Sequence, residues 1–151
     1  LQQIQTGLQS DSLGLCGQLL ENRRNGQIKQ FLMLRALALR HQYRSVFEQG
    51  SYLPITVMGP YEKHIIAFAR QLKQYMIVTI VPRFLTDLVS PGDYPLTEKV
   101  WADTVIEVPP DFKTSWQDAI SGQSLTSGPM ISVGQVLNYF PVALLVGESS
   151  G

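Results

Sequence analysis

Charge is scarce in this sequence. Asp, Glu, Lys and Arg make up 16% of the chain, against about 25% in an ordinary soluble domain. A surface this poor in charge is expected where part of it faces another domain. The charges that are present balance, 12 basic against 12 acidic. No basic surface for tracking phosphates is implied, so no nucleic-acid partner is expected. There is a single cysteine, Cys16. An internal disulfide is therefore excluded, and a reducing, cytoplasmic setting is the simpler reading. Cys16 lies in LGLCGQLL, which suits a small buried residue better than a nucleophile. No apolar run reaches the roughly 18 residues of a membrane span, so no membrane partner is expected. No basic stretch followed by an apolar one marks a signal peptide. The chain opens at Leu1 without a Met, as a piece of a longer protein would.

What is present is enough for a core. A chain of 151 residues buries roughly 70% of its unfolded surface, and 44% of its residues are hydrophobic. The pattern changes near Gly50. Residues 1–9 read as a short Gln-rich helix, and 12–21 as a second apolar helical run. The stretch NRRNG at 22–26 breaks it. The clearest helix spans about 27–42, with Ile28, Phe31, Leu32, Arg35 and Leu39 on one face. Leu34, Leu37 and Ala38 widen its apolar surface. A helix this apolar expects neighbours on more than one side. The rest of the chain can cover only part of it.

After Gly50 the segments SYLPITVMG, KHIIAFARQ and QYMIVTIVPRF read as strands with turn residues at their ends. Gly59-Pro60 marks the first turn and Gln71 to Gln74 the second. In the third strand, Met76, Val78 and Ile80 share one face and Tyr75, Ile77, Thr79 and Val81 the other. Two largely apolar faces predict a central, covered strand. Residues 86–100 read as a loop. TVIEV (104–108), TSWQDAI (114–120) and PVALLVGE (141–148) read as further strands. SVGQVLNYF (132–140) reads as a short helix or a turn. Consecutive strands with turn-rich joints imply antiparallel pairing. The expected class is α+β, with N-terminal helices over residues 1–50 and a small antiparallel β-sandwich over 51–151.

Chemistry-bearing motifs are sparse. The twelve carboxylates, Asp118 among them, lie mostly beside turns or at strand ends, where a solvated charge is expected. His41 and His64 supply no metal-ligand spacing. GxSxG, Walker and GxGxxG patterns do not occur. No catalytic, cofactor-binding or metal-ligating residue is assigned, and no cofactor is expected. Exposed aromatics stack on sugars, which brings Tyr94, Trp101, Trp116 and Tyr139 into view. Trp116 alternates with Ser115 and Gln117, which favours core packing. Trp101 follows a polar loop and suits the seal of a sandwich edge.

Several segments in order resemble one family. They are NGQIK (25–29), LRALALRHQYRSVFEQGSYLPI (34–55), IIAFAR (65–70), VTIVPRF (78–84), WADTVIEVPP (101–110), WQDAISG (116–122) and FPVALL (140–145). Together they resemble the C-terminal end of maltooligosyltrehalose synthases, of the α-amylase clan, over about residues 10–146. The resemblance implies that residues 1–50 are the last helices of a (β/α)₈ catalytic domain and 51–151 a C-terminal sandwich. Gly50 would end the helices with a residue that tolerates positive φ. Pro54 suits a strand start or edge. The family's reaction, an isomerisation, turns the reducing-end α-1,4 linkage of a maltooligosaccharide into an α,α-1,1 linkage, a step of trehalose biosynthesis. It is a retaining intramolecular transglucosylation, run by a carboxylate nucleophile and an acid/base carboxyl group in the barrel. The motifs that carry those carboxylates are not in this chain, so this segment alone is expected to be inactive. The implied partners are the barrel domain and, for the parent, the maltooligosaccharide. Self-association through the apolar helix is a further expectation. A carbohydrate-binding sandwich for α-glucans is the alternative. Arg23, Arg24 and Lys29 could reach a sugar in the parent's active site, although a solvated helix start is the plainer reading.

Overall fold

The structure, a computed structural model, describes residues 12–21, 27–90, 93–112 and 115–149. The Gln-rich segment 1–9 and the NRRNG break lie outside these residues, and with them Arg23 and Arg24. Two helices come first, α1 (Ser12–Glu21) and α2 (Gln27–Gln42), then the short α3 (Arg44–Gln49). The strands follow: β1 (Ser51–Pro54), β2 (Thr56–Met58), β3 (Ile65–Leu72) and β4 (Tyr75–Pro82). Helix α4 (Thr97–Trp101) precedes β5 (Val105–Glu107), β6 (Ser115–Asp118), β7 (Ser124–Thr126) and β8 (Met130–Ser132). Helix α5 (Val133–Val136) leads to β9 (Ala143–Glu148). The class is α+β, and every strand pair is antiparallel.

The strands form two sheets. One has six strands in the order β1-β3-β4-β9-β6-β7, the other three in the order β2-β5-β8. The stretch SYLPITVMG, read as one strand, is divided. Ile55 turns inward between β1 and β2, and the chain changes sheet there. Pro54 sits on the edge strand β1, where a missing N–H costs no ladder bond. Strand β4 is central, as its two apolar faces require. Its inner residues Met76, Val78 and Ile80 are buried, and Ile77 is buried on the outer face.

The main core lies between the sheets. Val57, Ile106 and Ile131 form a row across the small sheet. They meet Ile65, Ala69, Met76, Val78, Ala143 and Leu145 from the large one. Two smaller clusters lie on the outer face of the large sheet. Phe31 of α2 packs with Cys16, Ile120 and Phe140. Leu39 packs with Val46 and Ile77. The order of layers is thus helices, large sheet, small sheet.

Three local expectations need correction. Residues 86–100 are not all loop: a 3₁₀ turn covers Leu85–Asp87 and α4 begins at Thr97. Trp101 ends that helix and is fully buried, with its Nε1 donating to the Pro95 carbonyl at 2.7 Å. It closes the core rather than sealing an edge. Gly50 has φ −67, so no left-handed conformation calls for glycine there. The reason is a close approach: a Cβ at this position would overlap the carbonyl oxygen of Val46. Strands β7 and β8 were not foreseen. At three residues each they are too short to show a period of two.

Candidate functional groove

Helix α2 lies on the outer face of the large sheet and covers only its middle. Beyond the helix the cross-strand rows continue. Ile77 of β4 is followed by Val146 of β9, Gln117 of β6 and Ser124 of β7. The outward residues of β6, Ser115 and Gln117, are exposed. Alternation puts Trp116 on the opposite face, where it is buried. The helix therefore forms one wall and the bare end of the sheet forms a floor. Between them lies a groove of about 660 Å³.

The wall is contributed by Arg35, Ala38 and Gln42, and the floor by Gln117, Ser124, Val146 and Glu148. Tyr43 and Tyr75 close one end, their rings edge to face at 5.5 Å and 63°. The Arg35 Nε donates to the Ile120 carbonyl at 3.2 Å. This bond holds the guanidinium against the sheet in the middle of an otherwise apolar helix face. Burial pulls its pKa below the ordinary value, while Cys16 and Asp118 push it back up. An arginine nonetheless keeps its charge at any physiological pH.

Asp118 overturns the expectation of a solvated carboxylate. It is 1% exposed. Its Oδ1 accepts from the N–H groups of Ile120, at 3.0 Å, and Leu144, at 3.1 Å. Its Oδ2 accepts from the Ser121 hydroxyl at 2.8 Å. The side chain thereby closes the turn after β6 and ties it to β9. Burial raises its pKa, and these hydrogen bonds partly offset the rise. Such a carboxylate is committed to the turn rather than presented to a substrate. The sequence signal was available: Asp followed three residues later by Ser at the end of a strand is a side-chain-closed turn.

The four aromatics considered for sugar stacking are not brought together. Trp101 and Trp116 are walled into the core, Tyr94 is half-buried and Tyr139 is 37% exposed. Lys29 lies exposed on the first turn of α2. The groove residues Tyr43, Tyr75, Gln117 and Glu148 were not singled out from sequence. Alternation in QYMIVT and SWQD does place Tyr75 and Gln117 on the outer face. It does not show that Tyr75 packs beside Leu39 of α2 while Gln117 stays exposed. Among the described residues, no group of three His, Cys, Asp or Glu could hold a metal, and no helix is long and apolar enough to cross a membrane.

No family model matches the chain. Two curated proteins of Mycobacterium tuberculosis, from strains CDC 1551 / Oshkosh and ATCC 25618 / H37Rv, carry the provisional name maltooligosyl trehalose synthase. The chain is 29% identical to each over 119 residues, which is 79% of this chain and 14% of each relative. Among solved structures, the maltooligosyltrehalose synthase of Arthrobacter ramosus and a point mutant of it match with a TM-score of 0.60 and 25% identity. The match covers 88% of this chain and 16% of those chains. The chain therefore spans about a seventh of the length of its relatives. In sequence and in fold alike, it matches a segment of the maltooligosyltrehalose synthases.

Proposed function

We propose that the chain serves as the non-catalytic C-terminal domain of a maltooligosyltrehalose synthase. In this reading residues 1–50 belong with the last helices of the catalytic barrel, and residues 51–151 form a sandwich that buttresses it. The observation that carries the reading is the outward face of α2. Met33 is 61% exposed and Leu37, one turn later, is 57% exposed. The opposite face of the same helix already packs on the sheet through Phe31 and Leu39. A surface helix would normally carry polar residues on that outward face. The relatives have most of their length outside the matched segment, which supplies an occupant for it. A second copy of the chain would use the same ridge if the parent were absent.

In the parent, the barrel would carry both carboxylates of a retaining transglucosylation that converts a reducing-end α-1,4 linkage to α,α-1,1 in the cytoplasm. Asp118, the one buried carboxylate among the described residues, is held in a turn and serves the fold. The test is to delete the counterpart of residues 51–151 from the parent enzyme. Loss of soluble yield and a lower thermal midpoint are expected. A truncated parent with unchanged stability and activity would refute the reading. The 151-residue chain by itself should leave the reducing ends of maltopentaose intact.

A further inference from the structure

We infer that the groove between α2 and the β6–β7 end of the large sheet binds a short stretch of neutral α-glucan. The site is separate from the apolar ridge of α2, whose Met33 and Leu37 are not among the residues that line it. Only the ligand class is borrowed from the reading above. The groove itself is built entirely by this chain.

Its volume, about 660 Å³, falls within the roughly 300–1,000 Å³ of sites for small ligands. Its charges nearly balance. Arg35 stands on the wall and Glu148 on the floor, while Asp118 is enclosed in its turn. A phosphate or a polycarboxylate would find one half-buried arginine, already donating to the Ile120 carbonyl and under the influence of the Asp118 carboxylate, which is a poor anion site. A neutral polyol meets what it needs. Gln42 and Gln117 offer planar amides, each with donors and an acceptor. Both side chains are exposed, and within the described residues no hydrogen bond engages either amide. The hydroxyls of Ser124, Tyr43 and Tyr75 add further mixed donors and acceptors. Sugar rings also have apolar faces, which need apolar or aromatic surface. Tyr43 and Tyr75 at one end, with Ala38 and Val146 between wall and floor, provide it. A row of outward residues on a sheet end spaces these groups at the interval between strands, about 4.8 Å. That spacing lets successive hydroxyls of one chain meet successive strands.

The experiment is a titration of the whole 151-residue chain with maltopentaose, followed by backbone amide NMR. Shifts are expected at Gln42, Tyr43, Tyr75, Gln117 and Glu148. Gln117→Ala should weaken binding roughly fivefold, as loss of one neutral hydrogen bond does. Gln117 is exposed, so this variant should fold normally. Tyr75→Phe should keep the ring platform and weaken binding less than Gln117→Ala. Absence of shifts at any sugar concentration up to its solubility overturns the inference. So do shifts centred on the exposed aromatics elsewhere, Tyr52 of the edge strand β1 or Phe84 just after β4, or a Gln117→Ala variant that binds as well as the native chain. Each of these failures leaves the buttressing role intact, because that role is tested in the parent enzyme by stability.

Discussion

On its inner face the large sheet presents Met76, Val78, Ile80, Ala143 and Leu145 to the small sheet. On its outer face it presents Ile77, Leu144 and Val146 to helices, and Ser115, Gln117 and Glu148 to solvent. The inner interface is closed by residues of this chain alone. The outer one is closed only under the N-terminal helices, and α2 in turn leaves Met33 and Leu37 bare. The difference shows where this chain is self-sufficient and where it has surface to offer. Substitutions on the two faces should therefore separate stability from association.

The largest effect is expected at Trp116. It fills the inner core beside Phe112 and lies across from Gly147 in the ladder. Trp116→Ala should cost about 3–5 kcal/mol in chemical denaturation. A loss as small as that of a surface change would mean that the inner core is not the main source of stability. Leu39→Ala removes the anchor of α2 on the outer face. It should cost about 2–5 kcal/mol, toward the low end because the site is open to the groove on one side. A cost equal to that of Trp116→Ala would erase the distinction between the faces.

Gly147→Ala comes next. A Cβ there would lie 2.5 Å from the Trp116 ring, so the indole must shift. About 1–3 kcal/mol is expected, and the near-ultraviolet signal of the tryptophan should change with it. Asp118→Asn tests the buried turn by pH. The folded-state pKa of Asp118 is raised by burial. Its contribution to stability is thus greatest below the ordinary carboxylate range and is lost as pH rises through the raised value. The native chain minus the Asn variant, measured by denaturation across that range, should decline with rising pH. A flat difference would show that the hydrogen bonds from Ile120, Leu144 and Ser121 cancel the burial. The smallest effect belongs to the outward ridge. Leu37→Lys should change the isolated chain by no more than about 0.5 kcal/mol, yet destabilise the parent enzyme. A stability loss in the isolated chain would place Leu37 in a contact of its own fold.

Much of the fold was legible because its long elements carry clean periods. Helix α2 shows the three-and-four spacing, and β4 shows two apolar faces, so both are legible in the sequence. The short elements were not legible. Strands β7 and β8 are too brief to display alternation, and α4 was hidden among prolines and a Pro-Gly pair. Trp101 looked like an edge residue because the loop before it is polar, yet the Pro95 carbonyl gives its indole N–H a buried partner. The groove was least legible. Its wall and floor come from residues some eighty positions apart, as the Arg35 to Ile120 bond shows.

The sequence by itself determined the class of the fold, the antiparallel pairing, the central place of β4 and the excess apolar surface on α2. These follow from composition and from periods that are local to each segment. Only the tertiary structure decided that the chain changes sheet at Ile55, that Asp118 is buried and that α2 leaves the outward residues of β6 exposed. Those outcomes depend on which surfaces meet, and residues distant in sequence compete for the same space.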